Sequence, residues 1–139
     1  MSDVGGNRTA ALDASRAIAA GELAARADDQ LAPGFFYDGP AGMKLDRAAY
    51  IGYMSGLRAA FPDMVMSFDH VVAEGDKVAC RWTNTMTQTG EFNGIPATGR
   101  QIAATGAWVR EVQDGKVVAE WDNTDATGLL QQLGVVPAQ

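Results

Sequence analysis

The chain has 139 residues, 47% of them hydrophobic and 20% charged, which is enough apolar material for one domain with its own core. Its formal net charge is −6 and its 11 basic residues are scattered, so neither nucleic-acid phosphates nor an anionic membrane surface is an expected partner. One cysteine, Cys80, excludes an intrachain disulfide, and one histidine beside it leaves no zinc set.

Met1 to Asn7 reads as a flexible tail, and residues 8–139 as one domain. The tail lacks the charged and apolar regions of a secretion signal, and no apolar run approaches the ~20 residues of a membrane helix. A cytoplasmic protein is expected. From Arg8 to about Ala20 the Ala-rich pattern, with Leu12, Ser15, Ile18 and Ala19, predicts a helix ended by Gly21. Glu22 to Leu31 predicts a second helix, stopped by Pro33-Gly34, and Phe35-Phe36-Tyr37 a short aromatic strand. After the Asp38 to Gly42 loop, Asp46 suits an N-cap. The helix behind it carries Tyr50, Met54, Leu57 and Phe61 on one face and ends at Pro62.

The second half changes period. Strands are predicted over Val65 to Ala73, Lys77 to Gln88, Arg100 to Val112 and Val117 to Asn123. Glu74-Gly75-Asp76 and Asp114-Gly115 mark tight turns, and Gly90 to Gly99 a loop. Thr124 or Asp125 caps a closing helix, Ala126 to Leu133, ended by Gly134. Helices first and an antiparallel meander afterwards predict an α+β domain, a curved antiparallel sheet packed against N-terminal helices. Such a curled sheet leaves a concave mouth suited to a small molecule.

Several residue types could carry chemistry in that hollow. Glu120 and Asp122 share one face of the last strand, and two carboxylates in an apolar hollow would raise at least one pKa. The other reading leaves Asp122 at a solvated strand end. Asp125 reads as a helix cap. Met54, Leu57 and Phe61, with Phe35, Phe36 and Tyr37, read as pocket wall or as plain core. Tyr50 and Tyr53 could place hydroxyls at the mouth, and Met86 adds an adaptable surface. Trp108 reads as packing or as a floor for a flat substrate. Gln88 reads as a pocket hydrogen-bonder or a rim residue. His70 reads as surface, and Cys80 as a small buried hydrophobe.

A run of short motifs adds a resemblance. Phe61-Pro62-Asp63, Ala73 to Val78, Arg81-Trp82-Thr83, Gly90-Glu91-Phe92, Gly94-Ile95-Pro96 and Thr98-Gly99-Arg100 occur in that order. Asp114-Gly115-Lys116, Glu120-Trp121, Asp125 and Gly128 to Gly134 follow. From about Ala60 onward the chain resembles the SnoaL-like polyketide cyclase and ester cyclase family, of the nuclear-transport-factor-2-like superfamily. That resemblance implies a conical fold and a cofactor-independent, metal-free cyclase or related lyase or isomerase acting on a hydrophobic, polyketide-like carbonyl compound. In the family's cyclases an aspartate near the end of the last strand removes a proton beside a carbonyl, and the enolate closes a ring. Aligned through Gln132-Leu133-Gly134, that position is Asp122. Trp108 and Gln88 would then orient the substrate or hydrogen-bond the enolate. Two positions depart from the family pattern: Met86-Thr87-Gln88 replaces Gly-Thr-His, and Trp108 replaces a pocket histidine, so both lose a titratable group. The fold also hosts epoxide hydrolases, which pair carboxylates with an arginine; Arg81 and Arg110 qualify only if they face inward. A binding module without chemistry is the third reading. The resemblance also implies a homodimer.

Overall fold

In a computed structural model describing residues 3–135, four helices pack against the concave side of one six-stranded sheet. Helix α1 (Val4–Ala20) begins inside the stretch expected as a tail. The reason is local: the Asp3 carboxylate accepts from the Gly6 amide, and buried Asn7 donates its side-chain amide to the Gly75 carbonyl at 3.1 Å. Met1 and Ser2, and residues 136–139 of the expected domain, lie outside the described residues. Gly21 closes α1 with a left-handed residue (φ 74°), its amide and that of Glu22 reaching back to the last turn.

Helix α2 (Leu23–Gln30) leads into β1 (Leu31–Asp38), which is longer than the aromatic triplet suggested. A short edge strand, β2 (Lys44–Asp46), precedes α3 (Arg47–Ala60), capped by Asp46 as expected. The meander follows as β3 (Val65–Glu74), β4 (Lys77–Thr87), β5 (Gln101–Gln113) and β6 (Lys116–Thr124). Helix α4 (Ala126–Leu133) closes the described chain; Asp125 caps it by accepting from the Gly128 amide, and Gly134 ends it.

The strand order is β2-β1-β6-β5-β4-β3. Expected as antiparallel throughout, the sheet is mixed, because β1 runs parallel to β6. Helix α3 carries the chain from β2 at one edge of the sheet to β3 at the other, and the meander then runs back so that its last strand, not its first, meets β1. The sheet is curved but not closed, and its inner face shares one core with the helices, including Leu12, Ile18, Phe35, Tyr50, Phe61, Val78 and Val117. Among the described residues no helix is long and apolar enough to cross a membrane.

Gly106 fixes how β4 and β5 share the inner face. Trp82 lies across it, and a methyl added there would stand 2.5 Å from the indole Cζ2 and 2.6 Å from the Asn123 carbonyl. Gly106→Ala is therefore expected to destabilise the fold by about 1–3 kcal/mol, the usual cost of overpacking, seen as a lower urea midpoint. An unchanged midpoint would mean that Trp82 yields freely.

Candidate active site

A cavity of about 410 Å³ lies between the inner face of the sheet and helices α1, α3 and α4. Most of its wall is apolar. Met43, Met54, Met66 and Met86 contribute thioethers, and Trp82 and Trp108 contribute aromatic faces. Leu129, Leu130 and Leu133 of α4 close one side, and Phe92 and Ile95 of the β4–β5 loop another.

The charged groups of its wall lie on β5 and β6. Alternation turns Trp108 and Arg110 of β5 inward, and pairing sets them opposite Asp122 and Glu120 of β6. Both carboxylates are buried, Asp122 with 8% of its surface exposed. Glu120 is compensated. One of its oxygens accepts from Arg110 Nε at 2.7 Å and from the Tyr50 hydroxyl at 2.8 Å. Arg110 Nη1 donates to Ser15 Oγ at 2.7 Å and to the Ala11 carbonyl, and its guanidinium sits 4.0 Å from the Trp108 ring centre.

Asp122 has no such cation. Its Oδ2 accepts from the Tyr37 hydroxyl at 3.0 Å and from Thr124 Oγ1 at 2.8 Å, whereas its Oδ1 is buried and unpartnered. Burial first, and the Glu120 charge second, push its pKa up from 3.8 to about 6, against the lowering pull of the two hydroxyls and Arg110. Burial and the neighbouring carboxylates push Tyr37 and Tyr50 well above the usual phenol range, so both remain donors. The pocket thus holds a carboxylate that changes charge near neutrality, with one oxygen tied down and the other free.

Nine of the expected residues line this cavity: Asp122, Glu120, Trp108, Met86, Met54, Leu57, Tyr37, Tyr50 and Tyr53. Four do not. Phe35 is core, its ring centre 4.7 Å from that of Tyr50. Gln88 is fully buried, and its amide holds the next loop, donating to the Ile95 carbonyl and accepting from the Thr98 amide and hydroxyl. Phe36 points outward, 47% exposed, with its ring edge-on to Trp121, because Phe35 and Tyr37 take the inward positions of β1. Phe61, at the end of α3, is core; it braces Phe92 from behind at 5.7 Å between ring centres. Sequence reasoning placed Tyr50 at the mouth, but its hydroxyl meets Glu120. It left the facing of Arg110 open and gave no role to Thr124 on Asp122 or to Ser15 on Arg110. Arg81 and His70 are exposed, outside the cavity, and the buried Cys80 thiol is pushed up by desolvation. Among the described residues no cluster of His, Cys, Asp and Glu is arranged to hold a metal ion.

A curved, unclosed sheet with helices packed into its concave side is the architecture of the nuclear-transport-factor-2-like superfamily. The sequence narrows this further. A family model described as SnoaL-like polyketide cyclase matches residues 10–133, and the chain belongs to that family. Among solved structures it is similar to AclR of Streptomyces galilaeus, a candidate hydroxylase, at 28% identity and TM-score 0.86, over 97% of this chain and 100% of that one. It is similar to IdmH of Streptomyces antibioticus, a candidate polyketide cyclase, at 29% identity and TM-score 0.80, over 92% and 98%. A candidate polyketide cyclase of Acidithiobacillus ferrooxidans shares 30% identity at TM-score 0.81, over 97% and 99%. No curated protein matches the sequence.

The raised pKa has a consequence for stability. The folded state binds the Asp122 proton more tightly than the unfolded chain, whose value is near 3.8. Stability from this group is present in full below that value and is lost as pH rises through about 6. Asp122→Asn is therefore expected to gain stability over wild type between about pH 4 and pH 8, by up to roughly 3 kcal/mol. Thermal melts of both proteins across that range check it, and parallel curves would mean that the carboxylate is solvated in the fold.

Proposed function

We propose that the cavity is a cyclase-type active site in which Asp122 removes a proton beside a carbonyl of a hydrophobic, polyketide-like compound. The observation that carries this reading is the free Oδ1 of Asp122 in a largely apolar cavity, on a group with pKa near 6. A base poised there is mostly ionised at neutral pH yet holds an abstracted proton better than an ordinary carboxylate. Tyr37 and Thr124 fix the orientation of the carboxylate and supply hydroxyls beside the developing charge. Trp108 offers an aromatic floor, with Arg110 already seated against its indole. The enolate left after proton removal attacks a second carbonyl of the same molecule, and Asp122 returns the proton to the new alkoxide. Every step uses groups of the chain, so the reading calls for no metal or organic cofactor. The family assignment and the similarity to IdmH support the reaction class.

The first half of the reaction can be measured without the natural substrate, as deuterium uptake from D2O at the α-carbon of 1-tetralone. Wild type is expected to accelerate exchange over buffer, with an acid limb of apparent pKa about 6, and Asp122→Asn to lose at least 10²-fold of the enzyme-dependent rate. Full exchange by the variant would end the assignment.

The inward turn of Arg110 favours a second reading, water activation in epoxide opening. Arg110 is bonded to Glu120, Ser15 and Ala11, and none of those bonds reaches Asp122. Incorporation of oxygen-18 from labelled water into a product would select hydrolysis over ring closure.

A homodimer belongs to the same proposal. Val72, Ala79, Val109 and Trp121 are successive cross-strand partners on the outer face of the sheet, and Phe36 extends the row. Val72 is 67% exposed. Light scattering is expected to give twice the chain mass for wild type and the single mass for Val109→Asp. A wild-type monomer would remove the dimer from the proposal.

A further inference from the structure

On the inner face of β4, Trp82 and Asn84 occupy successive inward positions, and both line the cavity. Each is more than nine-tenths buried and carries a polar atom with no partner, the indole Nε1 and the amide Oδ1. Their neighbours on the same face, Cys80 and Met86, are apolar, so the strand needs no polar group there for its own sake. Buried donors and acceptors are ordinarily satisfied, and the base chemistry above uses neither of these.

Their placement is set by register. Trp82 pairs with Gly106 and Asn84 with Ala104, while Asp122 pairs with Trp108 on the other side of β5. The two groups are therefore two strands from Asp122, about 10 Å across the sheet, and displaced along it toward the β4–β5 loop by about 7 Å and 13 Å. The bare backbone at Gly106 lets the Trp82 indole lie toward the centre of the inner face.

The geometry points to Trp82 and Asn84 as a second polar station, which selects fused-ring ketones carrying a hydroxyl on the ring remote from the reacting carbon. The Trp82 N–H donates to the substrate carbonyl, and Asn84 Oδ1 accepts from the remote hydroxyl. This rests on the reading of the cavity as the substrate site and names the substrate class that it takes. A substrate lacking the hydroxyl leaves the Asn84 oxygen unpaired, which is how a polar site rejects an apolar analogue.

The test is binding, read by quenching of tryptophan fluorescence, of 6-hydroxy-1-tetralone, 1-tetralone and tetralin. Wild type is expected to prefer the hydroxylated ketone over 1-tetralone by about tenfold. Asn84→Leu, or Asn84→Ala where Leu is not accommodated, should erase that preference without lowering the melting temperature, because no protein hydrogen bond is lost. Trp82→Phe should erase the preference for 1-tetralone over tetralin. A preference that survives Asn84 replacement, or a clear fall in its melting temperature, would overturn the inference. Repeating the titrations in Asp122→Asn separates the two proposals. The hydroxyl preference there should equal that of wild type, and loss of the preference in that background would place the hydroxyl at Asp122, against the inference. The deuterium exchange experiment judges Asp122 independently of either result.

Discussion

Two carboxylates two residues apart on one strand cannot lie buried together in an apolar hollow unless a cation or a proton answers at least one of them. Here Arg110 answers Glu120 from the adjacent strand, at 2.7 Å and nearly out of reach of water. A buried guanidinium is itself costly, and the chain divides its donors among Glu120, the Ser15 hydroxyl and the Ala11 carbonyl, with the Trp108 ring against its flat face. The pair thereby ties α1, β5 and β6 together. It also leaves the second carboxylate without a cation of its own, so burial and then the Glu120 charge hold the pKa of Asp122 above the usual carboxylate range. The arginine lowers the pKa of Asp122 less than burial and Glu120 together raise it.

Where the family it resembles carries histidines, this chain has the Trp108 indole and the Gln88 amide. Trp108 still faces the cavity, but a ring without a titratable nitrogen can only stack and donate. The hydrogen-bonding hydroxyls come instead from Tyr37 and Tyr50, on β1 and α3, outside the strands where the family motifs lie. Proton traffic in the proposed reaction therefore runs through one carboxylate, which its phenol and threonine partners hold in place.

Much of the architecture was legible in the sequence. Asp46, Asp125, Gly21 and Gly134 mark helix ends, and alternation marks the four long strands. The acid pair was legible as a pair, because residues two apart on a strand share a face. What it faces was not. Counted back from the Asp114-Gly115 turn, a regular hairpin would set Val112 against Val117 and Trp108 against Trp121. The observed ladder slips once: Glu111 pairs with Ala119, and Val118 is the extra residue on β6. One such bulge exchanges the two faces of everything beyond it, and so puts Asp122 opposite Trp108 and Glu120 opposite Arg110. Gln88 was misplaced for a related reason. Alternation correctly turned it inward, but its amide is used by the following loop, whose path has no periodic signal. Phe36 and Phe61 were grouped with the wall on apolar character alone, which cannot tell the lining of a cavity from the layer behind it or from an exposed aromatic contact.

The methionines make this hollow chemically fragile as well as adaptable. Four thioethers face the same space, and each takes up oxygen from peroxide to become a sulfoxide, longer and strongly dipolar. Oxidation at even one of them would bring a polar oxygen and, with it, water into the chamber in which burial raises the pKa of Asp122. The redox state of these sulfurs therefore bears on the proposed chemistry, although none of them handles a proton in it.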